Sequence, residues 1–203
     1  MVFKNSHKEK GQDYISISES RKISRENRRI TTKMEKLRNR KHVNVREYTT
    51  HMRDENNIVE FDDVHTYFFT DIGTVKAVNG ISFDVPKGKT VGVVGESGCG
   101  KSVTSLSLMQ LVQRPQGQTV KGEIRLQTKR GTFDIVKTPT SAMQYIRGNV
   151  VSMIFQEPMT SLNPVFRAGF QIDEVIKLHN PHLTDEEVKK RTIESLDTVG
   201  IAN

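Results

Sequence analysis

Apolar and polar positions fall into distinct regimes along the chain. Residues 1–57 are polar and charged, with few large apolar residues and no steady period. From Ile58 the pattern changes. Residues 58–69 and 75–85 read as strands, the second alternating in its last half. Pro86-Lys87-Gly88-Lys89 is a turn by composition, and 90–94 is a short continuous apolar run that predicts a buried strand. Residues 103–112 predict a helix with Leu108, Leu111 and Val112 on one face.

Farther along, Arg114-Pro115-Gln116-Gly117-Gln118 breaks regular structure. Residues 122–126 and 132–136 flank Lys129-Arg130-Gly131 and predict a hairpin. A short helix over 141–147 precedes a second buried-type run at 149–155, and the prolines of 156–164 mark a loop. Two helices follow. Residues 167–179 place Phe170, Ile172, Val175, Ile176 and Leu178 on a broad apolar side. Thr184-Asp185-Glu186-Glu187 is a capping-box start for a helix to about Val199, with Gly200 as its stop.

Composition changes this picture in one respect. The 203 residues carry a formal charge of +7, which suggests a nucleic-acid partner until the charge is located. Residues 1–57 hold 15 Lys/Arg against 8 Asp/Glu, whereas 58–203 hold 16 of each. The basic character belongs to the leader. That leader reads as disordered or partly helical, with an anionic tether as the sharper alternative and a translation start at Met52 as a third. It lacks interleaved aromatics for base stacking, so no nucleic-acid partner is expected. The single cysteine, Cys99, excludes an internal disulfide and fits a reducing compartment. No run has the eighteen or so apolar residues of a membrane span, and no secretory signal opens the chain.

Candidate chemistry centres on Gly95-Glu96-Ser97-Gly98-Cys99-Gly100-Lys101-Ser102, a G-x-x-x-x-G-K-[ST] loop between the 90–94 run and the helical segment. Glycines let backbone N–H groups approach phosphate oxygens, and a helix start adds unpaired amides and a positive dipole end. Lys101 supplies a cation for the β- and γ-phosphates, and the Ser102 hydroxyl is the expected Mg²⁺ ligand. The nucleotide-binding set is therefore residues 95–102 together with Val103. Cys99 sits among those amides, so bound Mg-ATP should slow its alkylation.

That loop, together with residues 152–164 (SMIFQEPMTSLNP) and the stretch 77–83 (AVNGISF), resembles the ATP-binding subunit of oligopeptide/dipeptide ABC importers; nickel-type importers share these motifs. Val103, where most ABC ATPases have Thr, is a mark of this subgroup. The resemblance runs from about residue 58 to the end. It implies an α/β fold: a P-loop NTPase core with an antiparallel β subdomain and the start of a helical subdomain, truncated, behind a disordered basic leader. It also implies Phe68 as the aromatic that stacks on adenine, with Tyr67 or Phe69 taking that role if the register slips. Gln156 becomes the Q-loop glutamine, a catalytic residue beside Lys101 and a second Mg²⁺ ligand beside Ser102. ATP and Mg²⁺ are the implied cofactors. Membrane permease subunits, a second ATP-binding subunit in a head-to-tail dimer and, indirectly, a substrate-binding protein are the implied partners, at the cytoplasmic face of the membrane. Residues 157–166 would face the permease.

The sequence also departs from the family pattern. No L-S-G-G-Q-like signature, no apolar run ending in Asp-Glu and no suitably placed switch histidine occurs within these residues. The expectation is a partial nucleotide-binding domain over 58–203 that binds ATP weakly and hydrolyses almost none alone, or a non-catalytic nucleotide- or permease-binding remnant. A P-loop protein acting on nucleic acid through the basic leader is a third reading, disfavoured by the charge balance of 58–203.

Overall fold

The structure is a computed structural model that describes residues 15–156 and 161–201. The chain divides into two compact units, one ending at Val150 and the other beginning at Val151.

The first unit is organised by a five-stranded antiparallel sheet of order β1-β5-β4-β2-β3. Its spine is the hairpin β2 (Asn57–Thr70) and β3 (Gly73–Pro86), closed by a two-residue turn with Thr70 opposite Gly73. β4 (Gly117–Thr128) runs along the other side of β2, and β5 (Gly131–Asp134) folds back from it around Lys129 and Arg130. β1 (Thr49–Thr50) edges β5. Alternation places Val59 and Phe61 on the face that also buries Ile124 and Leu126, and Ile135, Met143 and Ile146 complete this core at zero exposure. The last two belong to α3 (Thr140–Ile146).

The register of β2 shifts between Phe61 and His65, where Asp63 adopts φ 46°. Gly122 makes that shift possible. A Cβ there would lie 2.3 Å from the Asp63 carbonyl oxygen, and its φ of 92° suits glycine alone.

On the opposite face, Glu60 is fully buried and its carboxylate accepts the backbone N–H groups of Arg53 and Asp54, both at 2.9 Å, and the Asn57 amide at 3.1 Å. Burial pushes its pKa up, but these hydrogen bonds and the Arg53 charge outweigh burial and hold it below the usual range.

Of the two readings of the leader, disordered or partly helical, the described residues before β2 fit the second and not the first. Residues 1–14 lie outside those described, but α1 (Ile17–Arg38) is a six-turn helix. Its start is closed by a capping box in which the Ser16 hydroxyl accepts the Glu19 N–H while the Glu19 carboxylate accepts the Ser16 N–H. The helix is docked through polar groups. Asn27 donates to the Thr70 carbonyl at 2.8 Å, Ser24 to the Asp71 carboxylate at 2.8 Å, and the Gln118 amide to Glu35 at 2.8 Å. The absence of apolar period hid this helix, because its buried positions are Asn27, Thr31 and Arg38. Burial first, then the neighbouring Arg114 charge, lowers the Arg38 pKa from the usual guanidinium value.

The two apolar runs expected to be buried strands are not in the sheet. Residues 90–94 and 152–155 carry no strand ladder, and Val94 and Ile154 are each 95% exposed. An apolar run becomes a buried strand only when neighbouring strands satisfy its amides and cover both faces. Residues 90–94 have no strand beside them in the sheet of the first unit, which is wholly antiparallel.

In the second unit, α4 (Ala168–His179) and α5 (Asp185–Thr198) form a helical pair. The expected capping box is present at Thr184 and Glu187, and Gly200 follows with φ 78°. Thr192 donates to the Asp173 carboxylate, and Lys177 pairs with Asp185 at 2.6 Å. Phe170, Val175 and Leu178 remain more than half exposed, so the apolar side of α4 is largely uncovered among the described residues.

Candidate nucleotide-binding site

α2 (Lys101–Leu108) begins inside the G-x-x-x-x-G-K-S motif, two residues earlier than its apolar period suggests, with Gly100 as its N-cap. Gly98 and Gly100 have φ of 81° and 93°, the left-handed region that lets successive N–H groups turn toward one point. Gly100 is constrained a second way. A Cβ there would lie 2.4 Å from the carbonyl oxygen of Ala77 in β3, so the loop is seated directly on the hairpin.

Among the described residues, the amides of Gly98, Gly100, Lys101, Ser102 and Val103 donate to no carbonyl or side chain. Only Cys99 within the turn is paired, its N–H donating to the Glu96 carbonyl at 3.3 Å. The Lys101 ammonium folds back over the loop, donating to the carbonyls of Gly95 and Glu96 at 2.7 Å each, and lies 3.6 Å from the Cys99 sulfur. The result is a concave run of unpaired donors with one cation at its rim, chemistry suited to an anion with several oxygens. Ser102 is exposed at the first turn, and Ser97 and Cys99 are also open to solvent.

The helix behind the loop is anchored by hydroxyls as well as by apolar contacts. Ser107 donates to the Val103 carbonyl at 2.7 Å and meets Thr66 of β2 at 2.9 Å, and Thr66 meets Thr119 of β4 at 3.1 Å. α2 ends at Leu108, short of the expected Val112, because Gln110 takes φ 49° and sends its amide to the Ile135 and Thr138 carbonyls. Arg147, just after α3, donates to the carbonyls of Met109 and Gln110 at 2.9 Å each and so caps this C-terminus. The sequence gives no sign of that role beyond a basic residue ending a short helix.

Phe68 lies on the hairpin that seats the loop. Its partner on β3 is Val75, two residues from Ala77, which spans about 7 Å of strand. Its ring is half-buried and rests beside Gly117, where a Cβ would be 2.9 Å from Phe68 Cε1 and 2.4 Å from Val112 Cγ1. Of its neighbours, Phe69 is buried, while Tyr67 is half-buried and donates to Asn79 at 2.8 Å. Gln156 belongs to the second unit, where it is exposed; residues 157–160, expected to face a permease, lie outside the described residues.

The family model for the ABC transporter matches residues 78–203, more than half of the chain. The chain belongs to the ABC transporter family, and its domain is an ABC ATPase domain, which implies ATP binding. It is similar to the oligopeptide transport ATP-binding proteins AppD and OppD of Bacillus subtilis (strain 168). AppD is 46% identical over 145 residues, 71% of this chain and 43% of the relative, and OppD is 44% identical over 144 residues, 71% and 39% respectively. The dipeptide transport ATP-binding protein DppD of Lactococcus lactis subsp. cremoris (strain MG1363) is 41% identical over 152 residues, 72% of this chain and 41% of that protein. The chain thus spans about two fifths of the length of these relatives.

Proposed function

We propose that the chain is the ATP-binding component of a peptide ABC importer, holding the polyphosphate of ATP in the 95–103 loop. The observation that carries this reading is the set of five unpaired amides from Gly98 to Val103 under the Lys101 ammonium. Lys101 would leave the Gly95 and Glu96 carbonyls for the β- and γ-phosphates, exchanging neutral acceptors for anionic ones. Ser102 would hold Mg²⁺, which neutralises phosphate charge when bound. Phe68, with its partly open ring on the same hairpin, would stack on the base. Oligopeptides or dipeptides are the proposed cargo, from the names of the relatives, and permease subunits and a second ATP-binding subunit are the proposed partners. The location is peripheral, at the cytoplasmic face of the membrane; among the described residues no helix is long and apolar enough to cross it.

A second reading, binding without turnover, is favoured by one feature of the sequence. Nowhere in the 203 residues does an apolar run end in Asp-Glu, so no carboxylate is supplied to polarise an attacking water there. General-base assistance contributes ~10²–10⁴-fold, so hydrolysis by this chain alone should be slight. Purified protein should bind an ATP analogue saturably and turn over almost none. Turnover abolished by Lys101→Ala would show a working ATPase, and absence of analogue binding would remove both readings.

A further inference from the structure

We propose that the outer face of α1 is a docking surface for an anionic lipid bilayer. Asn27, Thr31 and Arg38 face the first unit. At about 100° per residue, the opposite side of the helix carries Arg25, Arg29, Lys33 and Lys36, with Arg28 on its flank, and these cations line a shallow groove with Leu37. Arg21 and Lys22 extend the row toward the N-terminus, making a stripe about 22 Å long. All seven cations are exposed, and none is paired with a carboxylate among the described residues. Glu26 of the same helix lies on the exposed face between Lys33 and Leu37, a single carboxylate against seven cations, and Glu35 is turned to Gln118 and Arg114.

A one-sign row of this kind is costly through mutual repulsion unless an extended anionic surface relieves it. The stripe holds no aromatic residue to stack on bases. Along one edge it is bordered by the exposed apolar side chains of Ile30 and Leu37, 36% and 52% exposed. Cations beside partly exposed aliphatic groups match the headgroup layer of a membrane, where the ammonium and guanidinium groups meet lipid phosphates and the aliphatic groups reach the acyl boundary. Because the helix is fixed by its polar contacts to the Thr70–Asp71 turn, the surface presented is a rigid one.

The test is co-sedimentation of the full chain with vesicles of phosphatidylcholine, alone or with about a third phosphatidylglycerol. The protein should bind the anionic vesicles, bind the neutral ones far less, and be released as salt rises. Each exposed cation near such a surface is worth about fivefold in binding, so the R25E/R28E/R29E variant should lose at least about a hundredfold. That variant touches no packed position and should keep its melting temperature and its nucleotide binding, so this proposal can fail without affecting the phosphate-loop reading. Leu37→Ser, which removes the apolar group without changing the charge, should weaken vesicle binding while leaving any binding to duplex DNA nearly unchanged. Equal binding to both vesicle types, or no loss in the triple variant, would overturn the proposal. Salt-sensitive, stripe-dependent binding to duplex DNA without vesicle binding would overturn it in favour of a nucleic-acid surface.

Discussion

The antiparallel sheet and the segment leading into the phosphate loop are built from the same apolar residue types and end up in opposite states. In the sheet, Val64 and Ile124 are fully buried, flanked by paired strands. At 90–94, the valines at positions 91, 93 and 94 are 41%, 53% and 95% exposed. The difference lies in the neighbours. β2 pairs along both edges, with β3 next to it in the chain and with β4 from beyond α2, whereas residues 90–94 have no strand beside them. Yet the loop that follows retains its turn, because Gly100 rests on Ala77 and α2 is tied to the sheet through Ser107 and Thr66. The phosphate loop borrows its order from the antiparallel part of the molecule.

The largest effect that would break this contrast is a core truncation. Ile124→Ala should destabilise the first unit by about 2–5 kcal/mol, whereas Val94→Ala should change stability by less than about 0.5 kcal/mol. Urea unfolding followed by far-UV dichroism measures both. Comparable losses would mean that 90–94 is packed as tightly as the sheet.

Next in size is Gly100→Ala, which sets a methyl against the Ala77 carbonyl and forces a left-handed φ on alanine. Nucleotide binding should fall at least about tenfold, while the sheet melts within a few degrees of the wild type, the strain being local at about 1–3 kcal/mol. Unchanged affinity would mean that the seat on β3 does not shape the loop.

Glu60 sharpens the same comparison through pH. Its pKa is depressed in the folded state, so its contribution is present above the ordinary carboxylate value and is lost as pH falls through the folded one. Stability should therefore drop below about pH 4, and Glu60→Gln should flatten that part of the profile. An identical acid limb in the variant would show that the buried carboxylate does not contribute. Smallest is the effect on Cys99, whose exposed thiol beside Lys101 should alkylate more slowly with Mg-ATP present. Equal rates would argue that nucleotide does not cover the loop.

Much of this molecule is legible in its sequence, for reasons that differ by region. The β2–β3 hairpin, the β4–β5 hairpin and α3 to α5 are visible because their periods, turns and capping residues act locally. The loop is legible because its glycines and lysine are needed at fixed offsets. α1 is legible only as the partly helical alternative for the leader, without bounds, since it docks through Asn27, Ser24 and Glu35, which leave no apolar stripe. The 90–94 run is legible as apolar but not as unpaired, since pairing depends on strands elsewhere. The end of α2 depended on Gln110 and on Arg147, thirty-seven residues away in the chain.

The central claim is that the amides from Gly98 to Val103 and the Lys101 ammonium form a nucleotide's phosphate cradle. Equilibrium binding of a fluorescent ATP analogue to the full chain, wild type against Lys101→Ala, tests it most directly. Saturable binding competed by ATP and inorganic triphosphate, and weakened at least about tenfold in the variant, is the predicted result. Binding of equal strength in both proteins would contradict it.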